Sequence, residues 1–212
     1  MATKKATENE KKITVNLNLK TISVPIIGET ELIMNRFSEK AGQQIKEIAE
    51  AERGLKQGGK KKNISDPESA YQNSFYRFAD GETYGFPATG FKDAMVTAAY
   101  RSYNRPQTVT RSAFHVIADD PFTGLVKING TPRMREDMVR VGTINKVASP
   151  RYRAGFPEWS AVVTIQFMAD VITEEEIVGI LNAAGYNCGI GEWRPEKSNS
   201  GWAGRWKVAS TE

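Results

Sequence analysis

The chain has very few of the residues that bind metals or form cross-links. Its 212 residues include one cysteine, Cys188, and one histidine, His115. A single cysteine excludes an internal disulfide and a cysteine-cluster metal site, and a single histidine argues against a zinc centre. We therefore expect no cofactor, and any metal chemistry would have to use carboxylates.

Long apolar runs are also missing. The longest are as short as AVV at 161–163, whereas a membrane-spanning helix needs roughly 18 apolar residues or more. The polar start, MATKKATENEKK, lacks the apolar core of a signal peptide. We expect a protein that does not interact with membranes and that works in the cytoplasm, or in the host cytoplasm if it is viral.

The overall composition is that of an ordinary globular protein. Hydrophobic residues make up 40% of the chain and charged residues 25%, which is enough to bury a core. The length favours a single domain spanning 1–212. Within it we expect a disordered tail at 1–12, and insertions or mobile loops at 53–75 and 130–159.

Hydrophobic periodicity predicts strands and helices along most of the chain. Alternating apolar and polar side chains from 13 to 27 predict a first strand. A helix is expected from Ser38, and a second one of about a dozen residues follows Thr89, which is a suitable cap. From 113 to 167 the pattern predicts a series of strands.

The end of the chain carries clear boundary signals. Thr173 and Glu176 form a capping box that opens a third helix, and Gly185 is expected to end it. A final strand, GRWKVAS, should place Trp206 in the core. This order of elements predicts an α+β fold, a ferredoxin-like (RRM-like) antiparallel sheet with helices on one face and long loop or hairpin insertions.

Basic residues are concentrated in three segments, although the chain as a whole has only 29 basic against 25 acidic side chains. Residues 53–62 hold five basic side chains and no acid, residues 100–111 hold three arginines and no acid, and residues 133–153 hold six basic and two acidic side chains. Tyr100, Tyr103 and Tyr152 lie among them. Phosphates need cations and unpaired bases need stacking surfaces, so this mixture predicts binding of single-stranded nucleic acid. The alternative is that these segments are solvated loops.

Two stretches, YGFPATGFKDAMVTAAYR and GIGEWRPEKSNSGWAGRWKV, together resemble one family. The first resembles the segment of CRISPR backbone subunits in which a proline and small residues lead into a helix with a lysine and then an arginine. The second resembles the carboxy-terminal glycine-rich loop of the same superfamily, the repeat-associated mysterious proteins, or RAMPs. The matching residues are Pro87, Thr89, Gly90 and Lys92 in the first motif, and Gly189, Gly191, Arg194, Gly201, Gly204 and Arg205 in the second.

The resemblance implies contacts with a guide-RNA backbone and assembly of successive subunits into a filament. The chain is short for a backbone subunit and carries tryptophans in its glycine-rich loop. These differences favour a stand-alone or phage-borne relative.

Physical chemistry points to the same residues. The start of the helix near Gly90 carries free backbone N–H groups, and Lys92 adds a positive charge. Together they predict a phosphate-binding site. Glycines in the terminal loop would let a nucleic-acid backbone approach closely. The full set of candidate nucleic-acid-binding residues is Thr89, Gly90, Lys92, Arg101, Arg105, Arg133, Arg135, Arg140, Arg151, Arg153, Gly191, Arg194, Lys197, Trp202 and Arg205.

Three hypotheses follow for the function. The first is a protein, not an enzyme, that binds RNA or single-stranded DNA largely through the backbone and forms a homo-oligomer on it. The second is a metal-independent endoribonuclease of the RAMP type that uses His115 or a loop tyrosine. The third is a viral structural or sequestering protein whose loops bind a protein or nucleotide ligand. Asp80, whose position is similar to that of the cleaving aspartate in some RAMP subunits, is expected to act only in an Asp-Gly turn.

Overall fold

The computed structural model describes residues 17–36, 66–141 and 147–209. The tail at 1–12, the helix expected from Ser38 and the basic segment 53–62 lie outside the described residues. Those residues form nine strands and four helices, which in chain order are β1 (Leu19–Gly28), β2 (Leu32–Met34), α1 (Pro67–Asn73), β3 (Gly85–Pro87), α2 (Ala88–Tyr103), α3 (Gln107–Ala113), β4 (Phe114–Ile117), β5 (Leu125–Lys127), β6 (Arg133–Val141), β7 (Val147–Phe156), β8 (Ser160–Met168), α4 (Glu174–Asn187) and β9 (Trp206–Val208).

The central sheet has four strands in the order β4-β8-β1-β9, and every neighbouring pair is antiparallel. Along the chain these strands and the two long helices follow one another as β1, α2, β4, β8, α4 and β9. This is the ferredoxin-like arrangement, in which each helix connects two strands that have one antiparallel strand between them. The predicted α+β, ferredoxin-like class is confirmed.

The two faces of the central sheet differ in burial. On β8, Ala161, Val163, Ile165 and Phe167 are buried together with the apolar sides of α2 and α4. The alternate side chains point the other way, because successive strand residues face opposite sides of a sheet. On that side Ile27, Ile117 and Val162 are almost half exposed. The helices therefore cover one face, and the opposite face is open within the described part of the chain.

Helix α4 begins as predicted but ends later. Thr173 accepts a hydrogen bond from the backbone of Glu176, whose side chain accepts one from the backbone of Thr173, so the capping box is present. The helix then continues through Gly185 to Asn187. A Cβ atom at Gly185 would lie 2.0 Å from the carbonyl oxygen of Trp206. This glycine allows strand β9 to pack on the helix, and the prediction that it ends the helix is wrong.

Helix α2 starts two residues earlier than predicted from a cap at Thr89. Its first residue is Ala88 and its cap position is Pro87, which makes no side-chain cap hydrogen bond. Thr89 lies inside the first turn and is not the cap. The predicted burial of Trp206 on β9 is confirmed, since this side chain is 1% exposed.

A second sheet, ordered β2-β7-β6, carries the arginine-rich segment. Strands β6 and β7 form a long antiparallel hairpin whose pairs run from Arg133 with Gly155 to Val141 with Val147. Strand β2 pairs with the base of β7, and the hydroxyl of Ser74, just after α1, accepts a hydrogen bond from the backbone of Ala154. The hairpin base is thereby fixed to the body of the protein.

Candidate nucleic-acid interface

The glycine-rich loop, residues 189–205, is folded back on itself and on β2. The backbone N–H of Glu192 donates to the carbonyl of Ile33 at 2.9 Å, and that of Gly204 donates to the carbonyl of Glu31 at 2.8 Å. Within the loop, the N–H of Trp202 donates to the carbonyl of Trp193 at 2.9 Å. Backbone hydrogen bonds thus fix both ends and the middle of the segment.

The glycines of the loop are required by the local structure. Gly204 has a φ of +66°, and a Cβ atom there would lie 1.7 Å from the carbonyl oxygen of Ile190. A Cβ atom at Gly191, where φ is +80°, would lie 2.4 Å from the carbonyl oxygen of Ile33. Only glycine fits such positions. The space beside these glycines, predicted to admit the backbone of a ligand, is occupied by the backbone of the protein itself.

Each predicted cation of the loop has a carboxylate beside it. The ion pairs are Arg194 with Glu196 at 3.4 Å, Lys197 with Glu192 at 3.0 Å, and Arg205 with Glu29 at 3.2 Å. A phosphate that approached these cations would have to compete with a carboxylate that is already present. The loop is therefore close to electrically neutral.

The arginines at the base of the hairpin form an ion cluster, which we define as Glu31, Arg133, Arg135, Asp137 and Arg153. Glu31 accepts from both Arg133 and Arg135, while Asp137 accepts from Arg135 and lies 4.0 Å from Arg153. Glu31, Asp137 and Arg153 are each only 7% exposed. Buried charges are tolerated when they are paired, so this cluster holds the hairpin base together.

Two other predicted hairpin residues are placed differently. Arg151 is exposed on β7, opposite Asp137 in the register. Arg140 lies on β6, and its side chain is outside the described part of the structure. Arg151 forms no ion pair among the described residues, so it is the hairpin arginine that we consider for a phosphate contact.

The start of α2 is partly used by internal contacts. A Cβ atom at Gly90 would lie 2.7 Å from the ring of Phe86, so this glycine makes room for an aromatic side chain. The Nζ atom of Lys92 lies 3.0 Å from Nδ1 of His115, and partial burial lowers the pKa of Lys92. Thr89 is exposed beside them.

The structure brings the two RAMP-like motifs together at a small pocket of about 80 Å³. The lining residues are Phe86, Gly90, Asp93, Gly189, Ile190, Gly191, Arg194 and Glu196. Two carboxylates face this space against one guanidinium. The charge of the lining is unfavourable for a phosphate group.

A different surface combines exposed rings with arginines. We define the tyrosine–arginine surface as Tyr100, Arg101 and Tyr103 on α2 and Arg111 on α3. The two tyrosines are 54% and 47% exposed. Arg101 and Arg111 form no ion pair with any carboxylate in the described ranges, and the sequence from 94 to 118 contains no acidic residue.

Local backbone chemistry creates this surface. Helix α2 stops at Asn104, which adopts the left-handed conformation with φ of 52°, and asparagine tolerates this better than most residues. Helix α3 starts directly after Pro106. Arg105, between them, pairs with Glu176 at the start of α4. It therefore anchors the turn, while its neighbours remain exposed.

The sequence analysis missed α3 and did not include Arg111 among the candidates. The segment QTVTRSA has too few apolar residues for a visible helical pattern. The available signal was the pair Asn104 and Pro106, which together mark the end of one helix and the start of another.

The two residues considered for catalysis occupy simple environments. Asp80 accepts hydrogen bonds from the backbones of Glu82 and Thr83 and from the Thr83 hydroxyl. The hydroxyl of Thr83 is the main reason that the pKa of Asp80 is lowered. The predicted turn role is confirmed. His115 is exposed on β4 opposite Gln166, next to Lys92 and not in the core.

The described residues contain neither a metal-binding cluster nor a membrane-spanning helix. Within 17–36, 66–141 and 147–209, no group of three or more histidine, cysteine, aspartate or glutamate side chains is arranged to hold a metal ion. No helix in these ranges is long and apolar enough to cross a membrane.

Comparison with known proteins gives a distant likeness to solved structures and none to known sequences. No family model matches the chain, and no curated protein sequence matches it. Among solved structures the chain is similar to Cmr6 from Pyrococcus furiosus, with 9% sequence identity, a TM-score of 0.41, and coverage of 91% of this chain and 99% of that one. A TM-score of this size does not assign the chain to the family of that protein. The functional assignment below rests on the geometry of this chain alone.

Proposed function

We propose that the protein binds single-stranded nucleic acid, either RNA or DNA, through the tyrosine–arginine surface. The single observation that carries the proposal is that Tyr100 and Tyr103 are half exposed, while the arginines close to them in sequence, Arg101 and Arg111, form no ion pair with a carboxylate among the described residues. Tyrosine rings can stack on unpaired bases and guanidinium groups can bind the phosphates between them. Stacking is sequence-tolerant, because every base has a π-face.

The absence of acidic residues from the local sequence supports this surface over the other basic segments. Phosphates are repelled by carboxylates, and none lies in the sequence from 94 to 118. In contrast, the loop cations and four of the predicted hairpin and turn arginines, Arg105, Arg133, Arg135 and Arg153, are paired. Exposed Arg151 is an additional phosphate contact in this proposal.

We propose binding without catalysis. The carboxylate of Asp80 is engaged by three hydrogen bonds in its turn, and His115 has Lys92 beside it. Cleavage of RNA by general acid–base chemistry needs two groups in complementary protonation states near one phosphate. The contacts of these residues do not supply such a pair.

Assembly of several copies along a strand is a further part of the proposal. Phe122, in the turn between β4 and β5, is 91% exposed, and Met138 on the hairpin is 64% exposed. Exposed apolar side chains of this size are suited to contacts with a neighbouring subunit. The nucleic acid would then align the copies.

The test is fluorescence anisotropy with a labelled single-stranded oligonucleotide, in RNA and in DNA form, across a salt series. Arg101→Ala with Arg111→Ala should weaken binding by about 100-fold or more, since each of the two charged hydrogen bonds contributes roughly 1.5 to 3 kcal/mol. The slope of log K against log salt should become shallower by about 1.4, which is 0.7 for each lost phosphate contact.

The matched control removes the same charge from the loop. Arg194→Ala with Lys197→Ala should keep the wild-type affinity and slope, because these cations already have carboxylate partners. If the loop variant loses binding and the surface variant does not, the loop is the interface. If the wild-type protein binds no oligonucleotide at low salt, the proposed function is wrong.

A second pair of variants tests the rings. Tyr100→Ala with Tyr103→Ala should lower the affinity by about 25-fold or more, as expected for two lost stacking contacts of about 1 kcal/mol or more each. Tyr100→Phe with Tyr103→Phe keeps both rings and should keep the affinity. An equal loss of affinity in the alanine and phenylalanine variants would show that the hydroxyl groups cause the effect, and stacking would then be removed from the proposal.

A further inference from the structure

The glycine-rich loop contains an open pocket of about 240 Å³. It is lined by Trp193, Ser198, Ser200 and Trp202. Trp202 is 49% exposed, whereas the other two tryptophans of the chain, Trp159 and Trp206, are buried in the core. Two indole rings at an open concavity are not explained by core packing.

The backbone holds the two indole-bearing residues in a fixed relation. The carbonyl of Trp193 accepts hydrogen bonds from the N–H of Trp202 at 2.9 Å and of Ala203 at 3.1 Å. Trp193 itself has a φ of 54°, the left-handed conformation that bulky residues rarely adopt. Such strain costs roughly 1 to 3 kcal/mol and is concentrated at binding sites.

The ion cluster supports the ring of Trp193. The guanidinium carbons of Arg135 and Arg153 lie 5.7 Å and 5.9 Å from the centre of the indole. The Nε and Nη1 atoms of Arg153 are buried and have no hydrogen-bond partner among the described residues, and the indole offers them a π-face as a weak acceptor. A ring held by two buried cations is a preorganised stacking platform.

We propose that this pocket binds one unpaired nucleobase, stacked on the indoles of Trp193 and Trp202, with its polar edge on the hydroxyls of Ser198 and Ser200. The inference deepens the proposed nucleic-acid binding by adding a base site separate from the tyrosine–arginine surface. The volume is smaller than the roughly 300–1,000 Å³ of sites for drug-sized ligands. It suits a single planar ring system.

The charges near the pocket favour a base over a phosphate. The nearby cations Arg194 and Lys197 are both paired within the loop. The two hydroxyl groups can donate or accept hydrogen bonds and so are compatible with any base edge. Binding should therefore depend little on the charge of the ligand and little on salt.

The experiment titrates adenosine, guanosine, cytidine and uridine, and their 5′-monophosphates, into the full-length protein and follows tryptophan fluorescence. A stacked base should quench the exposed indoles, while buried Trp159 and Trp206 provide a constant background. We expect saturable quenching by at least one nucleoside, with a Kd that changes less than about twofold between the nucleoside and its monophosphate, and between low and high salt. Quenching that never saturates for any nucleoside would overturn the proposal.

Variants locate the binding. Trp202→Ala should weaken nucleoside binding by about fivefold to 150-fold, the range expected for one lost stacking contact, and Trp202→Phe should recover part of it. Because Trp202 is half exposed, its removal should leave the unfolding midpoint nearly unchanged, which a thermal melt checks. Unchanged nucleoside affinity in Trp202→Ala would show that the ligand lies elsewhere.

The failure of this inference can be separated from the failure of the proposed function. The Arg101→Ala, Arg111→Ala variant should bind nucleosides as the wild type does, since it leaves the pocket intact. If oligonucleotides bind with a salt slope and no nucleoside quenches, only the pocket proposal is wrong. If nucleosides bind and oligonucleotides do not, the pocket stands as a nucleobase site and the proposed function fails.

Discussion

The glycine-rich loop and the tyrosine–arginine surface are both basic in the sequence, but they differ in the folded protein. In the loop, acidic residues alternate with basic residues in the short run EWRPEK. In the folded protein Arg194 and Lys197 form ion pairs with those acidic residues. At the tyrosine–arginine surface no acid is close in sequence, and Arg101 and Arg111 have no ion pair among the described residues. A basic segment is therefore a candidate anion-binding site only if its cations are not already paired with acidic residues nearby.

The same comparison applies to glycine. The loop has the composition of a flexible segment, yet its glycines occupy positions where the backbone crosses another strand or itself at van der Waals distance. The tyrosine–arginine surface contains no glycine and is formed by two helices. Glycine content alone would therefore suggest flexibility in a segment that the fold packs closely against its neighbours.

The largest expected effect is that of crowding one loop glycine. Gly204→Ala places a Cβ atom 1.7 Å from the carbonyl oxygen of Ile190 and forces the backbone to move. We expect a loss of about 2–5 kcal/mol in the free energy of unfolding, from left-handed strain and overpacking together. Urea unfolding measures the change.

The matched control is Gly124→Ala. Gly124 has a similar φ of 71°, but nothing lies within 4 Å of an added Cβ atom. Only the backbone strain, about 1–2 kcal/mol, should appear there. Equal losses at the two glycines would mean that the loop is not packed as described, and the contrast between the two regions would disappear.

The next effect concerns the thiol beneath the loop. Cys188 is fully buried at the end of α4, and burial, assisted by Glu196, raises the pKa of its thiol from 9.0 to about 11. The reactive thiolate should therefore be about 100-fold rarer at pH 8 than in an unfolded chain. Labelling with a thiol reagent should be slower by at least this factor in the native protein than in urea.

A cysteine at the other region gives the reference rate. Ser112→Cys lies on the exposed side of α3 and should label at the rate of a free thiol, so the variant should show two phases.

The raised pKa of Cys188 also has a consequence for stability. Because the unfolded chain ionises first, the protein should lose stability as pH rises from about 9 to about 11. Fast labelling of native Cys188 would indicate that the loop opens readily.

Much of the fold could be predicted from the sequence, because its signals are local. Alternation identified β1 and β8, and the capping box identified the start of α4. The short strands β2 and β3 and the helices α1 and α3 were missed, since three to seven residues are too few to show a period; α1 lies in the segment 53–75 that was expected to be an insertion or mobile loop. Gly185 was predicted to end the helix, but glycine is needed there because its Cα atom lies against the backbone of Trp206. That contact involves a strand 21 residues away and is visible only in the tertiary structure.

The candidate site was less predictable. The sequence drew attention to the arginines and tyrosines of 100–111, but it could not tell which cations would be paired. Glu31 lies more than 100 residues from Arg133 and Arg135, and yet it binds both. Such long-range pairing depends on the hairpin register and leaves no mark in local composition.

The smallest expected effect tests the pairing itself, by comparing the stability cost of removing charge from each region. Arg194→Gln with Lys197→Gln breaks two partly exposed ion pairs and should lower the free energy of unfolding by about 0.2–1 kcal/mol per pair at low salt. Arg101→Gln with Arg111→Gln removes two cations that have no carboxylate partner among the described residues, so stability should stay the same or rise slightly as like-charge repulsion falls. Raising the salt concentration should shrink the loss in the loop variant, because screening weakens the wild-type pairs as well. Urea unfolding of both variants at two salt concentrations measures these differences. An equal or larger loss in the Arg101, Arg111 variant would mean that those arginines have partners of their own, and the proposed phosphate contacts would then lose their physical basis.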